Sequence, residues 1–118
     1  MIDHVTIRVR DLETTKAFYL QALKSLGYEL IMGDNEFIGL GKEGVPDTWF
    51  ITAKEISGPV HVAWKASAKD EVDEFYSAAL AAGAKDNGAP GLRPEYGETY
   101  YGAFVIDPDG NNVEAVFW

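Results

Sequence analysis

The chain repeats itself at an interval of 57 residues, close to half of its 118. At that shift its only two histidines, His4 and His61, coincide, and so do Val5 and Val62, Phe18 and Phe75, Tyr19 and Tyr76, Ala22 and Ala79, and Leu23 and Leu80. Arg8 also falls on Lys65, and Glu13 on Asp70. A period of this length means two copies of one supersecondary unit, each needing the other to bury its apolar face. Any fold for this chain must therefore accommodate two similar modules. Each module places a histidine at the same point of its opening strand.

The hydrophobic patterning predicts what each module contains. Residues 2–9 alternate, with Ile2, His4, Thr6 and Arg8 on one side and Asp3, Val5, Ile7 and Val9 on the other. Asp11 is a natural N-cap for a helix over Leu12–Leu26, stopped by Gly27, with Leu12, Thr15, Phe18, Tyr19, Ala22, Leu23 and Leu26 along one face. Three short strands follow, over Tyr28–Met32, Glu36–Leu40 and Thr48–Ala53, with a loop at Gly41–Asp47. The second half repeats this plan. A strand over Val60–Ala66 leads into a helix over Ala68–Ala82, capped by Ser67 and ended by Gly83. A short strand at Ala84–Asn87 precedes a Gly- and Pro-rich loop at Gly88–Glu98 that carries Tyr96. Strands over Thr99–Ile106 and Asn111–Trp118 then form a hairpin closed by Asp107-Pro108-Asp109-Gly110.

The order βαβββ-βαβββ predicts an α+β fold of one domain, residues 1–118, with modules spanning about 1–55 and 58–118. Each sheet has one face under its helix. The opposite faces, carrying His4, Thr6 and Arg8 in one module and His61, Ala63 and Lys65 in the other, are expected to line a cup.

Composition excludes several function classes. A formal charge of −9 argues against nucleic-acid binding, which calls for a basic stripe. No apolar stretch approaches a membrane span, and the opening residues lack a secretory pattern. The absence of cysteine removes thiolate ligands and disulfides alike. A cytoplasmic location is the resulting expectation.

Glu114 stands in Val113-Glu-Ala-Val-Phe117, a strand otherwise fit for burial. A carboxylate there is exposed as an edge-strand guard, paired, or metal-bound, because burying it alone costs several kcal/mol, of order 5. Two imidazoles and a carboxylate make a three-donor set that suits Fe, Mn, Zn, Ni or Co as divalent ions. Nothing in the residues selects among those metals.

The paired strand–helix openings, the two histidines and the closing Asp107-Pro-Asp-Gly-Asn-Asn-Val-Glu-Ala-Val116 resemble the vicinal oxygen chelate superfamily, which includes glyoxalase I, fosfomycin-resistance thiol transferases, extradiol dioxygenases and bleomycin-resistance proteins. The resemblance implies metal ligands at His4, His61 and Glu114. It also implies a homodimer, with modules paired within a subunit or exchanged between subunits. The implied activity is that of a metal-dependent enzyme polarising oxygens of a small-molecule substrate, by isomerase, lyase or addition chemistry. Two alternatives stay open: an Fe(II) dioxygenase, and a bleomycin-resistance-type protein that binds a drug or metabolite without catalysis.

Some family members draw a fourth ligand from the last strand of the first module. Here that segment carries Trp49, Phe50 and Ile51, none of which can ligate. Trp49 is accordingly a candidate wall of the substrate pocket. Arg8, Lys65 and Arg93 are candidate cations for a substrate anion. Tyr96 and Tyr101 are candidate acid–base or oxyanion-donating groups, and Tyr100 a candidate substrate contact.

Overall fold

A computed structural model describes all residues, 1–118. The first module consists of β1 (Val5–Val9), α1 (Leu12–Ala22), a 3-10 turn (Lys24–Leu26), β2 (Glu29–Gly33), β3 (Phe37–Lys42) and β4 (Val45–Thr52). The second consists of β5 (His61–Lys65), α2 (Lys69–Ala81), β6 (Lys85–Leu92), β7 (Tyr101–Ile106) and β8 (Asn112–Phe117). The sheets have matching orders, β1-β4-β3-β2 and β5-β8-β7-β6, with the opening strand parallel to the closing one in each. The α+β architecture of two βαβββ modules is therefore the one expected from the repeat.

Part of the repeat lies in the interior. Phe18, Phe75, Ala22 and Ala79 are all buried, and each helix lays its apolar stripe on its own sheet. The two halves share one core rather than two. Tyr19 stacks on Phe50 of its own sheet at 4.5 Å and meets Trp64 of the other at 5.9 Å. Trp64 Nε1 donates to Thr48 Oγ1 across the modules at 3.2 Å. The aspartate-rich turn between β7 and β8 adds a polar clasp. Buried Asp107 accepts from Tyr19, and Asp109 pairs with Arg10.

Several boundaries differ from expectation, each for a local reason. The first helix ends at Ala22 and continues only as the 3-10 turn, before Gly27 takes a left-handed φ of 82°. Asp11 caps it as expected, accepting from the Glu13 amide and the Thr14 hydroxyl. Ser67 is not the cap of α2. Ala68 holds that position without a side-chain bond, while Glu71 reaches back to accept from the Ser67 amide at 2.6 Å, one residue before the cap. The loop expected at Gly41–Asp47 shrinks to a two-residue hairpin at Glu43-Gly44, both with positive φ (51° and 80°), so β4 begins at Val45. β6 runs eight residues through Gly88, Pro90 and Gly91, where a loop was expected, with irregular register on both sides of Gly88. Pairing with β7 overrides the poor strand propensity of those residues, and bulges absorb the mismatch.

Candidate functional site

The face of the second sheet opposite its helix carries His61, Glu114 and Phe104. β5 and β8 run parallel with Ala63 beside Glu114, and β7 sets Phe104 beside it on the other side. Strand alternation then brings His61 Nε2 within 2.8 Å of Glu114 Oε2. Glu114 is 2% exposed, yet both carboxylate oxygens have partners, since the Tyr100 hydroxyl donates to Oε1. Gly102 makes this possible. A Cβ there would lie 3.3 Å from Glu114 Oε1 and equally close to the Tyr100 ring. Burial, followed by the bond to Glu114, pushes the Tyr100 phenol well above its ordinary pKa, so it remains a donor across the neutral range.

A depression of about 360 Å³ opens beside His61, with Arg93, Asn87, Asn112, Tyr96 and Phe104 around it. Its size suits a small molecule. His61 and Phe104 rings lie 6.1 Å apart, and the Arg93 guanidinium carbon sits 5.4 Å from the Phe104 ring centre.

The other candidates fall elsewhere. His4 lies just before β1 and is exposed; its Nδ1 contacts Asp3 at 2.7 Å. It lines a separate depression of about 350 Å³ with Asp3, Tyr28, Asp47 and Lys65. No three His, Asp or Glu side chains of one chain converge on a point. His61 and Glu114 thus meet within the chain, and His4 does not join them. Tyr101, a candidate acid–base group, lies on the wrong face for that role. Its hydroxyl donates to Asp73 of α2 at 2.6 Å, because alternation along the strand turns it away from Tyr100 and Glu114. Tyr96 is 64% exposed at the rim, edge-on to Tyr100 at 5.3 Å. Lys65 stacks its ammonium over Trp118 at 4.1 Å, and Arg8 is exposed at the far end of β1.

Trp49 occupies a telling place. It pairs with Thr6 and Gly39, as Glu114 pairs with Ala63 and Phe104, and the 57-residue shift carries Thr6 onto Ala63. Trp49 is therefore the first module's counterpart of Glu114. Its indole lies over Gly39, where a Cβ would come within 2.7 Å of the ring, and Phe37 packs beside it at 6.0 Å. The residue that sequence reasoning undervalued is Tyr100. It shares the parity of Gly102 and Phe104 of β7, a signal that points to Glu114 only once the β7–β8 register is known.

The family model for the Glyoxalase/Bleomycin resistance protein/Dioxygenase superfamily matches residues 1–115. The chain belongs to that superfamily. Similar solved structures include a glyoxalase/bleomycin resistance protein from Albidiferax ferrireducens, 24% identical with a TM-score of 0.84, covering 98% of this chain and 97% of that one. A glyoxalase-related enzyme from Fulvimarina pelagi is 19% identical with a TM-score of 0.78, covering 100% and 88%. A glyoxalase/bleomycin resistance protein/dioxygenase family enzyme from Burkholderia phytofirmans is 25% identical with a TM-score of 0.76, covering 98% and 97%. No curated protein matches the chain. Superfamily members often bind a divalent metal, bind small molecules and form dimers. No helix here is long and apolar enough to cross a membrane.

Proposed function

We propose that this superfamily member is a divalent-metal-dependent enzyme acting on a small oxygenated substrate, with His61 and Glu114 of one chain and His4 of a second copy as ligands. The observation that carries the reading is the His61–Glu114 pair. Two donors bound at right angles to one ion, each about 2.1 Å from it, lie about 3 Å apart. The nitrogen and oxygen here are separated by 2.8 Å. Their nitrogen and oxygen donors suit a borderline divalent cation, and the buried Glu114 carboxylate has a charge that such an ion would compensate.

When bound, the ion supplies Lewis-acid polarisation of a substrate oxygen. The chain's own groups do the rest. Tyr100 fixes the rotamer of Glu114 by holding Oε1, which leaves Oε2 directed towards His61. The depression beside His61 admits substrate, and Phe104 gives it an apolar floor. In this reading the enzyme is a homodimer, since two of the three donors meet within one chain and the third comes from the second copy.

Metal titration of purified protein tests this directly. One divalent ion per site is expected, with Glu114→Gln and His61→Ala each weakening binding by 100-fold or more (about 2.7 kcal/mol). Mixing His4→Ala with His61→Ala chains distinguishes a shared site from a local one. Random exchange makes half the dimers mixed, each with one intact site, so roughly a quarter of wild-type capacity should return. A mixture that binds no more than its parents contradicts the shared site.

A second reading, a non-catalytic ligand-binding protein, draws its support from Trp49. With Phe37 it makes an apolar, aromatic surface where the second module has its carboxylate. Binding of an aromatic ligand that survives exhaustive chelation would favour it.

A further inference from the structure

Arg93 is anchored as a solvated surface arginine has no need to be. It lies along β6 with Nη2 donating to the Ala89 carbonyl at 2.7 Å and Nη1 3.4 Å from the Leu92 carbonyl. Its guanidinium carbon is 5.4 Å from the centre of the Phe104 ring. Two glycines make room for it. A Cβ on Gly88 would stand 3.2 Å from Nη2, and one on Gly91 would stand 3.2 Å from Nη1. The chain has 19 acidic residues and a net charge of −9, yet no carboxylate lies within ion-pair distance of Arg93. Glu95 borders the same depression without pairing with it. Carbonyl oxygens orient the guanidinium and leave its charge unbalanced, and most of its five N–H donors have no protein partner. Arg93 lines the same depression as His61.

We infer that Arg93 is the specificity-determining residue for an acidic substrate, binding its carboxylate while an oxygen elsewhere on the same molecule approaches His61 and Glu114. This deepens the proposed function and rests on it for the second contact only. A planar guanidinium anchored through its Nη atoms, with Nε–H and the second hydrogen of each Nη unpartnered, is pre-organised for a carboxylate, so little side-chain freedom is lost on binding. Asn112 adds a neutral donor on the lining of the same depression, as its Oδ1 accepts from Asn87 and its own amide N–H groups have no protein partner. The preferred substrates are therefore small hydroxy or oxo acids rather than neutral carbonyl compounds.

The test uses lactate and 4-hydroxybutyrate, each against its own amide, which keeps the oxygens and lacks the charge. Affinities are measured on the full chain with and without zinc, for wild type, Arg93→Gln and Arg93→Lys, alongside zinc affinity and circular dichroism. Wild type should prefer at least one acid over its amide, and Arg93→Gln should cut that preference about tenfold or more, with Arg93→Lys retaining part of it. Zinc affinity and fold should be unchanged in both variants. An acid preference that survives Arg93→Gln overturns the inference, as does equal binding of acid and amide by wild type, or no binding of either. Failure of wild type to take up zinc would instead count against the metal reading, and the zinc-free arm would still judge Arg93.

Discussion

The two modules differ most where their registers coincide. In the second, Glu114 sits between Ala63 and Phe104 and meets His61; in the first, Trp49 sits between Thr6 and Gly39 and meets Phe37. The helix faces towards the core, by contrast, repeat some residues outright, with Phe18 matching Phe75 and Ala22 matching Ala79 in burial. Side chains that fill a shared core are constrained by volume, whereas those on the opposite face answer only to what they bind. The repeat preserved its scaffold and divided its chemistry. One module offers an aromatic surface and the other a carboxylate held by a tyrosine.

That contrast can be broken in three places. Gly39→Val would drive methyl groups into the Trp49 indole, which already lies 2.7 Å from where a Cβ would be. A loss of about 2 kcal/mol is expected, within the usual overpacking range, read as a lowered urea midpoint at unchanged slope. An unchanged midpoint would mean the indole is free to leave its place over the strand. Tyr100→Phe has no counterpart in the first module and removes the donor to Glu114 Oε1. Metal affinity should fall about tenfold, measured by competition with a chelator, because outer-shell partners typically carry that much. Equal affinity would leave Tyr100 a packing residue. The smallest effect separates the repeat-related tyrosines. Tyr19→Phe removes a buried donor to Asp107 and should cost roughly 1–2 kcal/mol in chemical unfolding. Tyr76→Phe loses only a surface bond to Asp86 and should leave the unfolding midpoint where it was.

The fold was legible because the repeat and the two helical stripes are strong signals, and both report on the core. Strand edges were harder. Gly88, Pro90 and Gly91 are poor strand formers, and only the partnership with β7 makes β6 continuous through them. Glu43-Gly44 forms a tight hairpin without the Asn-Gly or Asp-Gly pair that usually advertises one. At the site, His61 and Glu114 could be singled out because a histidine repeated and a carboxylate interrupted an apolar strand. Their meeting was implied only by the family resemblance and not by the residues themselves, since it depends on the parallel register of β5 and β8. Tyr100 and Tyr101 differ by one residue and face opposite sides of the sheet, one towards Glu114 and the other towards Asp73. A period-two argument assigns the pair only once Gly102 and Phe104 are known to share the Glu114 face.

The Asp107 clasp has a consequence for how such a chain can be cut. Its carboxylate draws the Tyr19 hydroxyl from the first half and the Asn111 amide from the second, while Trp64 reaches back to Thr48. Severed at the linker near Ser57, the C-terminal fragment would bring an aspartate short of a donor and a bare indole into water. With one core shared between the halves, a split version of this molecule is expected to regain its shape only when both fragments are present together.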